Sequence, residues 1–198
     1  MRKVIRFLRR AARRRELRQR AAASDPLAVV LGAGATQYPG WLNTDRDLLD
    51  LCVDADWARL FAPASLDRLL CEHVLEHLTL DRNRLALTNC FRYLKPGGRL
   101  RIAVPDGNRR DSVYRAEVTP PRDGHELLFT LESLSALLGE TGFRVQPLEW
   151  FDESDHFHAR AWNPEDGMIL RSRRFDRQPD FRREDLFYTS LIVDAVKP

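Results

Sequence analysis

Leu69-Leu70-Cys71-Glu72-His73-Val74-Leu75-Glu76-His77-Leu78 passes from a continuous apolar run into a cluster of histidines and acids. The next marked block is Phe91-Arg92-Tyr93-Leu94-Lys95-Pro96-Gly97-Gly98-Arg99-Leu100-Arg101-Ile102-Ala103-Val104-Pro105-Asp106. Residues 67–71 fit a buried strand, and 80–94 fit a helix that Lys95-Pro96-Gly97-Gly98 must stop, because proline cannot continue it and glycine favours its end. Leu100, Ile102 and Val104 alternate as a strand does. Strand, helix and strand in this order predict a parallel βαβ unit.

Outward from this unit the same alternation continues. Upstream, residues 27–31 form a short apolar run that ends at Gly32-Ala33-Gly34, and residues 41–45 and 49–53 are further candidate strands. Downstream, Thr130 is placed to cap a helix bearing Leu131, Leu134, Leu137 and Leu138, which ends at Gly139 or Gly142. Residues 143–150 and 187–196 would be the last two strands. The expected fold class is α/β, a largely parallel sheet with helices on both faces. Long polar stretches at 107–129 and 151–186 read as insertions that cover the open end of the sheet and define a substrate pocket.

The two ends of the chain differ in charge. Residues 1–20 hold ten basic side chains against Glu16, which is +9 of a total net charge of +3, so the remainder sums to −6. The high pI therefore belongs to the tail. The acidic body gives nucleic acid no basic face, and nucleic acid is not expected as a partner. Val4, Ile5, Leu8, Ala11 and Ala12 fall on one stripe, so residues 2–20 predict a basic amphipathic helix, followed by a linker at 21–26. The expected organisation is a helix-and-linker segment over 1–26 and one domain over 27–198. Such a helix suits an anionic membrane surface, an acidic patch of the body or a partner; its arginine richness also fits a mitochondrial presequence. Cys52, Cys71 and Cys90 lack metal-type spacing and sit among apolar neighbours, as reduced cytosolic thiols do. With no membrane-spanning run, the expected location is the cytoplasm, with peripheral contact at the inner membrane surface.

Val29-Val30-Leu31-Gly32-Ala33-Gly34, Trp41-Leu42-Asn43-Thr44-Asp45, the 69–78 block and the 91–106 block, in that order, resemble class I S-adenosylmethionine-dependent methyltransferases. Within that superfamily they look most like small bacterial proteins with a "hVLEHL…LKPGG…VPD" core. The resemblance covers about residues 27–150. It implies a Rossmann-like sheet with an antiparallel last strand, S-adenosyl-L-methionine as cofactor, and methyl transfer to an acceptor, with a small-molecule, lipid-linked or glycan acceptor the expected type. It also implies cofactor contacts. Gly32, Ala33 and Gly34 would face the amino-acid end, so that a Cβ on Gly34 would collide with it. Asp45 would accept hydrogen bonds from the ribose hydroxyls, Asp54 or Asp56 with Trp57 would meet the adenine, and Glu72 and His73 would line the pocket.

A nicotinamide site fits the spacing less well. It requires a third glycine where Gln37 stands and an acid about 20 residues on, whereas Asp45 follows Gly32 by 13. His73-Val74-Leu75-Glu76-His77 also matches the H-x-x-E-H pattern of zinc peptidases, which would need a mid-helix setting. Because the motif directly follows a strand, no metal is expected, and a zinc hydrolase is the remote alternative. A nearer one is a non-catalytic relative recruited through its basic helix. If the acceptor needs a base, His73, Asp106 and His125 are the candidates.

Overall fold

The computed structural model describes residues 2–34, 38–175 and 189–198, with side chains described from residue 10 onward. In chain order the elements are α1 (Arg2–Ala23), β1 (Ala28–Leu31), β2 (Leu42–Asn43), α2 (Asp54–Ala58), β3 (Leu66–Glu72), α3 (Leu80–Tyr93), β4 (Leu94–Val104), α4 (Ser112–Val118), α5 (Leu131–Thr141), β5 (Arg144–Phe151), β6 (Phe157–Ala159) and β7 (Leu191–Val196). The strands form one sheet in the order β2-β1-β3-β4-β7-β5-β6. Strands β1 to β4 are parallel, β7 runs antiparallel between β4 and β5, and β6 is an antiparallel edge.

The βαβ unit forms for the reasons its sequence suggests. Thr79 caps α3 by accepting from the Arg82 N–H, and Ala86, Leu87, Cys90 and Tyr93 turn one face of the helix to the sheet. Registers Leu31↔Cys71 and Cys71↔Ile102 align the ends of β1, β3 and β4. Thr130 caps α5 in a reciprocal box with Ser133, and Gly142 closes the helix in the left-handed region at φ 98°.

Alternate residues of each strand enter two cores. One contains Val29, Leu31, Leu69, Cys71, Ile102 and Val104 beneath helices α1, α2, α3 and α5. The other contains Val30, Leu70, Ala103 and Ile192. Helices were expected on both faces, but among the described residues this second core is covered by loop side chains: Tyr38, Trp41, Trp162, Met168 and Ile169. One buried ion pair holds that cover in place. The Arg101 guanidinium donates to both Asp194 oxygens at 2.8 and 2.9 Å, and to the carbonyls of Asn163 and Gly167 at 2.8 and 2.7 Å. Its Cζ lies 4.9 Å from the centroid of the Trp162 ring.

The clearest departure is at residues 49–53, expected as a strand. Asp45 O accepts from Leu48 N and Leu49 N, Asp50 Oδ1 from Cys52 N, and Asp50 O from Val53 N. These local bonds take the donors a strand ladder would need and wind the segment into turns that lead to α2. Helix α1 runs on to Ala23, three residues into the expected linker. The polar insertions also gain structure, as α4 and β6. Within the expected last strand, residues 187 and 188 lie outside the described residues, as does Gln37.

Candidate functional site

From β1 the chain moves to β2 on one side, then crosses to β3 on the other. This reversal leaves a crevice beyond the carboxyl ends of β1 and β3, the place where open α/β sheets bind ligands. A cleft of about 530 Å³ occupies it, within the size range of small-molecule sites. Gly32, Asp45, Asp50, His73, Val74 and His77 are among its walls.

Each wall has a local cause. Gly32 turns the chain at φ 68°, and a Cβ there would stand 2.6 Å from Val74 Cγ2, so the β1 turn and the β3 exit fit only with glycine. Gly34 differs. It is exposed at φ 55° with nothing within 4 Å of a built Cβ, so the expected collision has no counterpart in the chain's own atoms. Its N–H donates to Asp45 Oδ2 at 3.2 Å, while Arg46 N–H donates to Oδ1 at 2.6 Å. With two bonds accepted, the half-buried Asp45 carboxylate retains acceptor sites for a ligand. Ala33 is fixed through its N–H to Thr44 O at 2.9 Å.

At the end of β3, His73 takes φ 54°, a region non-glycine residues enter at a cost of about 1–3 kcal/mol and chiefly at functional sites. Its ring sits with Nε2 2.9 Å from Ser190 Oγ and Nδ1 2.8 Å from Glu76 Oε1. Glu72 points elsewhere: its carboxylate accepts from Tyr38 Oη, Leu170 N and Arg171 N, tying the loop cover to β3. Burial, and then the Glu72 charge, push the Tyr38 hydroxyl well up.

The expected adenine residues stand outside the cleft lining. Asp54 accepts from Tyr93 Oη at 3.1 Å and pairs with Arg92. Asp56 pairs with Arg14 and Arg59. Trp57 is wholly buried, stacked on Tyr93 with ring centroids 5.3 Å apart. Residues 50–52 line the cleft instead, with Asp50 paired to Arg82 at 3.2 Å. Asp50 belongs to the turns that replace the expected strand at 49–53, which is how it comes to the cleft wall ahead of Asp54.

Of the candidate bases, His73 reaches the cleft wall. Asp106 does not. Its oxygens accept from Asn108 N at 2.9 Å and Phe151 N at 2.8 Å, and burial raises its pKa to about 6 against those bonds. His125 is buried behind the wall, with Nδ1 2.8 Å from Val118 O and its ring edge-on to His77 at 4.9 Å. The H-x-x-E-H segment is no mid-helix zinc pair: residues 75–77 form a single 3-10 turn, pinned by the buried Asn83 amide, which donates to Leu75 O and Leu78 O. From the insertions Glu126 joins the lining.

A "Methyltransferase domain" family model matches residues 8–102. Gly32, Asp45, His73, Glu76 and His77 fall inside that match. Across 95% of this chain and 94% of the other, at 16% identity and a TM-score of 0.55, the structure resembles a SAM-dependent methyltransferase from Archaeoglobus fulgidus. A SAM-dependent methyltransferase from Thermotoga maritima superposes with a TM-score of 0.52 at 14% identity, over all of this chain and 97% of that one. The fold is that of the Rossmann-like methyltransferases. No curated protein matches the methyltransferase-fold chain in sequence.

Proposed function

We propose that this chain transfers a methyl group from S-adenosyl-L-methionine to an acceptor nucleophile. The single observation behind this reading is the cleft at the switch point of a methyltransferase fold, walled by the Gly32 turn on one side and Asp45 on the other. The cofactor is S-adenosyl-L-methionine, which supplies a methyl already activated as a sulfonium. The Gly32–Ala33–Gly34 backbone takes its amino-acid end, Asp45 accepts from the ribose hydroxyls, and residues 50–52 border the adenine. With the electrophile activated beforehand, the protein's task is to align the reactants and exclude water, effects that remove roughly 7–11 kcal/mol of barrier. Calorimetric titration of the whole chain with S-adenosylmethionine and S-adenosylhomocysteine tests this. Both should bind with one-to-one stoichiometry, and failure of both to bind at millimolar concentration overturns it.

We propose also that α1 brings the enzyme to an anionic membrane surface. Its docked positions, Arg14 and Leu17, face the body, while Ala11, Ala12, Arg13 and Arg15 are exposed. Among the described residues no helix is long and apolar enough to cross a membrane. Attachment would therefore be at the surface, and the acceptor would be met there.

A further inference from the structure

Beside the cofactor cleft, one ligand atom each from Glu76, His77 and His125 lie within 4.8 Å of one another. Glu76 is wholly buried, and neither oxygen accepts a hydrogen bond of good geometry, although Oε1 lies 2.8 Å from His73 Nδ1. A buried carboxylate so poorly supplied with donors is costly unless a cation joins it. The two imidazoles are oriented to complement it. His77 Nδ1 is 3.2 Å from Gly124 O and His125 Nδ1 is 2.8 Å from Val118 O. A carbonyl can only accept, so each Nδ1 donates and, in the neutral ring, each Nε2 holds the lone pair. Backbone carbonyls fix metal-binding histidines in this way.

We propose that the buried Glu76 carboxylate, with His77 and His125 locked by backbone carbonyls, binds a divalent transition-metal ion of the zinc type at the edge of the cofactor cleft. Two imidazoles and one carboxylate are the protein ligands of open zinc sites, which keep a further position for water or substrate. Ligand bonds of about 2.0–2.2 Å require the three atoms to close in from their present spacing. Exposed His77 is the member that closes in, by pivoting about its bond to Gly124 O, which keeps Nε2 as the ligand atom. His73 acts through Glu76 and is a positioning residue. The pairing read from the H-x-x-E-H pattern, His73 with His77, is thus replaced by His77 with His125.

The consequence for the substrate rests on the methyl-transfer reading. His77 and Glu126 belong to the cleft wall, so a metal held by His77 borders the cleft, and an acceptor in the cleft would reach its open position past His77. An acceptor hydroxyl bound there loses its proton more readily, as water does on zinc. The proton leaves to solvent. The oxygen then forms its bond to the methyl carbon while the carbon–sulfur bond breaks, and the sulfonium becomes a neutral thioether. The acceptor class is an alcohol or phenol.

The chelator-treated whole chain is titrated with Zn²⁺ by calorimetry, and with Co²⁺ by visible absorption. One equivalent should bind, with the absorption of a four- or five-coordinate site. His77→Ala, whose exposed side chain can be removed without opening the core, should weaken Zn²⁺ binding at least about 100-fold, and so should His125→Ala. A separate histidine pair is the control, since Asp152 Oδ2 lies 2.8 Å from His158 Nε2 and 3.6 Å from His156 Nδ1. A His156→Ala/His158→Ala variant should bind Zn²⁺ as the parent does. No stoichiometric binding by the parent, unchanged binding by His77→Ala, or loss of binding in the control each overturns the site. These readouts need no cofactor, so a failed metal site and a failed methyltransferase are told apart.

Discussion

Asp45 and Asp106 are both aspartates at the ends of parallel strands, yet their surroundings give them opposite uses. Asp45 accepts two backbone bonds at the cleft and has capacity left for a diol. Asp45→Ala should weaken S-adenosylhomocysteine binding by about 1.5–3 kcal/mol, the scale for hydrogen bonds to a charged group. An unchanged dissociation constant in a folded variant would remove the ribose role. Asp106 has both oxygens occupied in the interior, and burial holds its pKa at about 6. Since that lies above the ordinary carboxyl value, the protonated form favours the fold. Its contribution is complete at acid pH and is lost as pH rises through 6. Relative to Asp106→Asn, the parent should lose about 2.4 kcal/mol of stability between pH 4 and pH 7.5, read by urea denaturation at each pH. A gap that moves the other way would show that the ionised form is the one the fold prefers. Gly32 offers a third test at this scale. Gly32→Ala places a methyl against Val74 and should cost about 1–3 kcal/mol, more than Gly34→Ala, which meets strain alone. Equal losses would show that Val74 yields.

The loop cover over the second core depends on Arg101 and Asp194, two side chains from adjacent antiparallel strands. Asp194→Ala leaves a guanidinium buried without its counter-charge and should cost about 3–5 kcal/mol in denaturant unfolding. Loss of Trp162 ordering, followed by fluorescence, should accompany it; a variant with parental stability would show that apolar packing alone holds the cover. The same contrast explains what was legible in the chain. The β3–α3–β4 unit, the Thr130 cap and the Gly142 stop depend on neighbours a few residues away, and periodicity with punctuation reveals them. The cover over the sheet depends on a pair 93 residues apart. The carbonyls of Asn163 and Gly167 both accept from Arg101, so the loop at 163–167 is held by a strand more than 60 residues away in sequence. The site was legible to the same degree. Gly32, Asp45 and His73 follow strand ends, and all three stand in the cleft wall. Asp50, which also lines the cleft, was not singled out, because its own side chain turns the backbone where a strand was expected. Convergence of His125 on Glu76 and His77 rests on a loop that returns to the β3 exit through Glu126 N–H and Leu127 N–H, both donating to Glu76 O. No local pattern encodes that.

At the scale of the molecule, α1 docks on the body through one of its faces. Arg10, Arg14, Leu17 and Ala21 recur on one side: Leu17 is buried in the main core, and Arg14 donates to Asp56 and Leu48 O. At 3.6 residues per turn, positions 4, 5, 8, 11 and 12 lie roughly 150° round the helix from that side. Docking leaves Ala11 and Ala12 exposed beside Arg13 and Arg15; the side chains of Val4, Ile5 and Leu8 lie outside the described residues. Body docking and membrane contact are thus compatible rather than alternative. Deleting residues 1–20 would confound the two, because it also removes Leu17 from the core and Arg14 from Asp56. Arg13, Arg15 and Arg20 are exposed. Each basic side chain near an anionic surface contributes about 1 kcal/mol, so the Arg13→Gln/Arg15→Gln/Arg20→Gln variant should bind anionic vesicles about 100-fold more weakly, with a shallower dependence on salt. Its affinity for S-adenosylhomocysteine and its unfolding midpoint should stay at the parental values. Co-sedimentation equal to that of the parent would show that α1 is not what reaches the membrane.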